Sequence, residues 1–121
     1  MIESALYTRL TTYAPLTALI STRTYPLVAP QGTLLPYCVY RKVSPGRQYT
    51  LDGYAGIQRP RMQVSSYGAT YGQAKGVAAQ VIAAVESWAG VEFAWVENEV
   101  DFYDKDTNTY HVPVDFFAWY R

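Results

Sequence analysis

One apolar stripe does most to limit what this chain can become. Ala74, Val77, Ala78, Val81, Ile82 and Val85 recur at the three- and four-residue spacing of a single helix face between Tyr71 and Trp88. Thr70 stands where an N-cap is needed, and Gly90 is expected to end the helix. Gly76 and several alanines keep one flank small, which lets such a helix lie close on a sheet. Strand-like segments flank it on both sides. Residues 37–43 are rich in Tyr, Val and Cys, types that suit a pleated, half-buried surface. In residues 59–67, Met62 and Val64 alternate with Arg61, Gln63 and Ser65, and Pro60 sits at the start, where a missing donor costs little. Residues 92–103 and 109–120 read as a hairpin around the turn Asp104–Asn108, with Val112, Val114, Phe116 and Ala118 on one face.

Upstream, Ile2, Ala5, Leu6, Leu10 and Tyr13 predict a first helix over residues 2–13. Pro15 then favours a short second apolar turn carrying Leu16, Leu19 and Ile20. Residues 22–36 hold Pro26, Pro30, Gly32 and Pro36 and predict a loop, with a short irregular strand over Arg23–Val28 at most. Residues 44–58 contain Gly46, Gly53 and Gly56 and read as a long glycine-bearing loop, a length that is usually functional or mobile. A helix between two strand pairs predicts an α+β two-layer sandwich: a mainly antiparallel four-stranded sheet with two helices packed on one face. At 121 residues, the whole of 1–121 is expected to form one domain. The uncovered sheet face would then carry Trp95, Glu97, Glu99, Asp101, Phe117 and Trp119. Burying such aromatics against another subunit would benefit a ring or stack.

Charge and cysteine content remove several function classes. Ten basic and ten acidic residues cancel, and the basic ones are scattered, so the footprint of a nucleic-acid binder is missing. The single cysteine, Cys38, cannot form an intramolecular disulfide. The opening Met1-Ile2-Glu3-Ser4 does not resemble a secretory leader, and no run of apolar residues is long enough to predict a membrane span. Twelve tyrosines join three tryptophans and four phenylalanines. Tyrosine pairs an apolar body with a polar tip, so these residues fit either an aromatic-rich core or a surface buried on assembly.

No chemistry-bearing constellation completes itself. Asp104-Lys105-Asp106-Thr107-Asn108 begins like a calcium loop, but Thr109 replaces the required glycine and Asp115 stands where a bidentate Glu belongs. Aspartate and asparagine in a hairpin turn explain the run without metal. His111 is the sole histidine, and Asp115, further along the same strand face, is out of contact range. Cys38 lies among Tyr37, Val39 and Tyr40 and reads as a buried structural thiol. Glu97, Glu99 and Asp101 alternate as though on one strand face, which predicts a solvated or channel-facing acidic stripe. No phosphate loop, dinucleotide fingerprint or nucleophile elbow occurs. No catalytic, cofactor or metal residue is therefore assigned, and the chain is expected not to be an enzyme.

Several segments, taken in order, do have a parallel. They are Ser4-Ala5-Leu6-Tyr7-x-x-Leu10, Leu16-Thr17-Ala18-Leu19-Ile20, Tyr25-Pro26-x-x-Ala29-Pro30-Gln31-Gly32 and Leu35-Pro36-Tyr37-x-Val39-Tyr40. Leu51-Asp52-Gly53, Tyr67-x-x-Thr70-Tyr71-x-x-Ala74-Lys75, Tyr103-Asp104-x-Asp106-Thr107-x-x-Tyr110 and the terminal Phe116–Tyr120 follow. In this order and spacing the chain resembles the tail completion proteins of long-tailed phages and prophages, also called tail terminators or tail-to-head joining proteins.

The resemblance implies a structural virion protein of the tail or neck, assembled in the host cytoplasm. Such proteins cap the head-proximal end of the tail tube, usually as a hexameric ring, end tube growth and meet the head–tail connector. Recognition is by assembly, and DNA passes through the lumen without specific binding. Within that reading the long loop is the expected ring contact, through Arg47, Tyr49, Leu51, Asp52 and Tyr54. Glu97, Glu99 and Asp101 are the expected lumen-facing residues, since an acidic or neutral channel does not grip DNA. Another neck or head-completion ring subunit fits the same features, and a small ligand-binding α+β domain would need a convergent polar pocket.

Overall fold

The core is set by which residues of three helices can reach one sheet face. In α1 (Ile2–Thr12), Ile2, Leu6 and Leu10 fall four apart and are all buried. Tyr13 is extended and its carbonyl accepts from Leu16 and Thr17, opening α2 (Ala14–Ile20), which buries Leu16 and Ile20. The main helix, α3 (Tyr71–Glu86), buries Ala74, Val77, Ala78, Val81, Ala84 and Val85. Its start is doubly capped. Thr70 Oγ1 accepts from the Gln73 amide at 3.1 Å, and Gln73 Oε1 accepts from the Ala69 amide at 2.7 Å. The helix ends earlier than the glycine predicts. Ser87 is the C-cap, and its amide returns to Ala83, so Gly90 lies beyond the helix. There a Cβ would come within 2.7 Å of the Trp88 indole nitrogen, which is what glycine avoids.

The computed structural model describes residues 2–120, and of Gln48, Tyr54 and Ala55 the backbone alone. Its main sheet has six strands: β1 (Thr24–Pro26), β2 (Tyr37–Ser44), β5 (Arg61–Gly68), β6 (Phe93–Glu99), β7 (Phe102–Asp104) and β8 (Thr109–Trp119). The spatial order is β1-β2-β5-β8-β6, and β7 also pairs with β8. The α+β layering is as expected, but three helices cover it instead of two, because the short apolar turn after Pro15 is a helix of its own, and the sheet is larger and mixed. Three-residue β1 runs parallel to β2, and every other pairing is antiparallel. Pro26 marks β1's end, and so short a strand has too little periodicity to show in sequence.

The expected first strand of the C-terminal hairpin is divided in two. A bulge lies between Val96 and Asn98, and pairing to β8 stops after Glu99 and resumes at Phe102. Pro113, which has no amide hydrogen, sits in β8 at this change of partner. The carbonyl of Pro113 accepts from Val100 at 3.2 Å across the gap.

All three helices cover one sheet face. Cys38 and Tyr40, Met62 and Val64, and Phe116 and Ala118 pack with the apolar residues of α1, α2 and α3. Val112 and Val114 meet Ala74 and Ala78. Gly68 ends β5 directly beneath the start of α3, where a Cβ would lie 2.7 Å from the Ala74 amide nitrogen. Arg9 ties α1 across to the end of α3. Its Nε donates to the Ala84 carbonyl at 2.9 Å and its Nη2 to the Ser87 carbonyl at 3.1 Å. It thus satisfies carbonyls that a helix end leaves open.

Phe116 is fully buried at the junction of β5, β6 and β8. Phe116→Ala is expected to cost about 3–5 kcal/mol. Urea unfolding should show a lower midpoint with an unchanged slope.

Candidate assembly surfaces

Residues 44–58, expected as a loop, form an arm. β3 (Arg47–Thr50) pairs antiparallel with β4 (Gly53–Gln58) as a separate two-stranded ribbon that continues beyond the β2–β5 pair. At its root the Arg59 amide donates to the Gly46 carbonyl at 2.8 Å, and Gln58 exchanges backbone bonds with Tyr120. Gly46 has φ +59°, and a Cβ there would sit 1.8 Å from the Arg59 carbonyl oxygen, so only glycine allows the close crossing at the root. Thr50 and Gly53 pair across the tip, leaving Leu51 and Asp52 as the turn. Short loops and glycines hide such an arm from sequence reading, because one of its strands is only four residues long.

Of the expected contact residues, Arg47, Tyr49, Leu51 and Asp52 all lie on this arm and are exposed. The backbone of Tyr54 lies in β4, opposite Tyr49, while its side chain is outside the described residues. Leu51 is as open as in an isolated peptide, at 107 % relative exposure. Burying a leucine releases about 1.5–3 kcal/mol, which this fold leaves unused. A two-stranded ribbon alone is marginal in water, so the arm gains most from a partner.

The sheet face away from the helices is organised in rows across the strands. Tyr25, Tyr37, Tyr67, His111 and Phe102 contact one another in sequence from β1 to β7. Tyr37 stacks on Tyr67 and Tyr67 on His111, each with centroids 4.9 Å apart. A polar row follows along the strands. Arg41 Nε donates to Gln63 Oε1 at 3.0 Å, Gln63 Nε2 donates to Asp115 Oδ1 at 2.9 Å, and Arg61 Nη2 donates to Asp115 Oδ2 at 3.0 Å. Beyond it Trp95 touches Phe93, Phe117 and Trp119, and the Arg59 and Arg61 guanidiniums lie over Phe117. Trp95, Phe117 and Trp119 thus lie where the sequence places them. Neither the cross-strand rows nor the part taken by Arg59 and Arg61 could be read without the register.

The acidic stripe does not survive the bulge. Glu97 is the unpaired bulge residue, after which Asn98 faces Asp115 and Glu99 pairs with Val114 on the helix side. One extra residue therefore breaks the alternation that seemed to align Glu97, Glu99 and Asp101. Glu99 and Asp101 instead meet Lys75 of α3: the ammonium hydrogen-bonds Glu99 and lies 3.2 Å from Asp101 Oδ1. The Tyr71 hydroxyl donates to Asp101 Oδ2 at 2.8 Å. The bond to Glu99 is the chief cause that holds Lys75 up to about 12. The Tyr71 hydroxyl first, and Lys75 second, lower the Asp101 carboxyl below the usual range.

The other candidate residues have structural settings. Asp104 Oδ1 accepts from the Asp106 amide at 3.0 Å, and Asn108 takes a positive φ of 53°, so the turn is closed by its own side chains. Burial lowers the His111 pKa, and its ring is flanked by Tyr67 and Phe102. Cys38 is buried 3.8 Å from the Ser66 hydroxyl, and burial pushes the thiol up to about 12, away from the reactive thiolate.

The sequence profile described as Tail completion protein gp17 matches residues 4–121. The chain belongs to the tail completion protein gp17 family. It is therefore a structural protein of a phage-type tail. No curated protein matches the sequence. Among solved structures, a chain of the particle described as "Virion of native gene transfer agent (GTA) particle" has a similar fold. The TM-score is 0.75 at 21 % identity, over 98 % of this chain and 92 % of that one.

Two outcomes follow for the tail completion chain. Gly46→Ala should displace the arm without unfolding the core: amide exchange at Gln58 and Arg59 should rise while helical circular dichroism is unchanged. For Lys75→Met the direction depends on pH. A raised lysine pKa adds stability that is complete below about 10.4 and is lost as pH rises through the folded value. A lowered aspartate pKa adds stability that is complete above about 3.9 and is lost as pH falls through its folded value. Thermal melts should show the variant below the parent by a small, salt-sensitive margin from about pH 5 to about pH 9. That margin should close in strong acid.

Proposed function

We propose that this chain caps the head-proximal end of the tail tube as a ring of identical subunits, most simply a hexamer. The ring would end tube growth and join the tail to the head. The observation that carries the reading is the arm: a two-stranded ribbon separate from the main sheet and tipped by a fully exposed leucine. Family membership supplies the context of a tail. In this reading residues 1–121 act as one assembling unit, with Arg47, Tyr49, Leu51, Asp52 and Tyr54 at the subunit contact.

The axial partners would be the tail tube protein on one side and the head–tail connector on the other. Assembly would occur in the host cytoplasm, with binding alone doing the work and no covalent step. The end of β6 and the segment after it, bearing Glu97, Glu99 and Asp101, is the proposed channel wall. It stays net acidic even with Lys75 present, so DNA would pass without adhering.

The decisive experiment removes the chain from its particle. Electron micrographs should show over-long tails that are not joined to heads, and adding the purified protein to newly assembled tails should restore both length control and joining. A variant lacking residues 47–56 should fold and yet fail to restore either. Tails of normal length, joined to heads in the absence of the chain, would refute the proposal.

A further inference from the structure

The open sheet face holds a groove of about 380 Å³. Val39, Tyr67 and His111 contribute to its floor, and Leu27 and Phe102 stand at its lips. Both lips are apolar and open, at 75 % and 51 % relative exposure. Leu27 is held there in a left-handed backbone conformation, with φ 64°. Arg41 is the one fully charged residue lining the groove, and no carboxylate lines it.

The arm tip has the matching properties. Its segment Tyr49–Gly53 carries a fully exposed leucine and one charge, the carboxylate of Asp52. In one copy the arm runs on from the end of β2 that is farther from Tyr67 and His111. β3 carries the ribbon onward past Ser44, by roughly 13 Å for four residues at about 3.3 Å each. The groove lies back along the strands, from Arg41 and Gln63 to Tyr67 and His111.

We infer that the arm tip of one copy docks in the open-face groove of the next, with Leu51 entering between Leu27 and Phe102 and Asp52 facing Arg41. The inference rests on the ring reading and names the receiving surface for it. Each copy then gives one arm and receives one. Such a head-to-tail contact joins two different surfaces and closes into a ring when the rotation allows. The arm tip gains cover, and the half-buried aromatic row becomes part of an interface.

The test is the double variant Leu51→Cys with Phe102→Cys, oxidised in concentrated solution and on purified tails. Cys38 is buried, so the introduced thiols are the ones that react. Docking predicts a reducible ladder of covalent species above the dimer, absent from Phe102→Cys alone. An intramolecular disulfide, or a ladder that stops at the dimer, overturns the inference. A ring of normal mass that does not cross-link also overturns it and leaves the ring reading standing. If the parent chain forms no ring even on tails, both fall.

A charge exchange gives a second measurement. Asp52→Arg and Arg41→Asp should each weaken self-association about ten-fold, and the two together should return it to within about three-fold of the parent. Failure of the pair to recover removes Arg41 as the partner of Asp52.

Discussion

Close burial of α3 on the middle of the sheet is the constraint on which the rest of this molecule depends. Ala74 and Ala78 lie against Val112 and Val114, and Val77, Val81 and Val85 lie among Met62, Val64 and Phe116. Small residues on the helix, with glycine at the end of β5, allow that approach. Once α3 is seated, α1 and α2 have only the neighbouring part of the same face to cover. Arg9 fastens their far end to the last carbonyls of α3. The apolar content of the helices is spent on one side of the sheet, and the other side is left for contacts outside the fold.

That second side is ordered without being covered. Aromatic stacking and the Arg41–Gln63–Asp115–Arg61 network hold its side chains in rows. Side chains ordered in advance lose less freedom when a partner arrives. The same economy applies to the arm, whose root is locked by a glycine crossing while its tip stays open. This protein of the tail completion family has both a preorganised face and a projecting ribbon.

Much of the scaffold was legible in the residues. The stripe of α3, its Thr70 cap, the α1 spacing and the alternation in β5 and β8 all correspond to elements of the fold, since each is set by local periodicity. The resemblance to tail completion proteins also stands. The arm was readable only as a long glycine-bearing segment, because pairing between two short strands leaves no periodic trace. β1 and β7, at three residues each, are shorter than any repeat that could reveal them. The acidic alternation misled for a related reason. One bulge residue reverses every later side chain, and a bulge has no signature in the order Trp-Val-Glu-Asn-Glu.

By itself, the sequence determined that this chain forms an α+β layer with one strongly apolar helix, carries an excess of aromatics and belongs among tail completion proteins. Helix stripes, strand alternation and ordered motifs are local properties, and local properties survive in a one-dimensional string. Only the tertiary structure decided that residues 44–58 project as a ribbon, that Glu99 and Asp101 turn back to Lys75, and that Leu27, Tyr67, His111 and Phe102 border one groove. Those outcomes depend on strand register and on the twist and bulges of the sheet. These bring together residues far apart in the chain, and no spacing along it records where they meet.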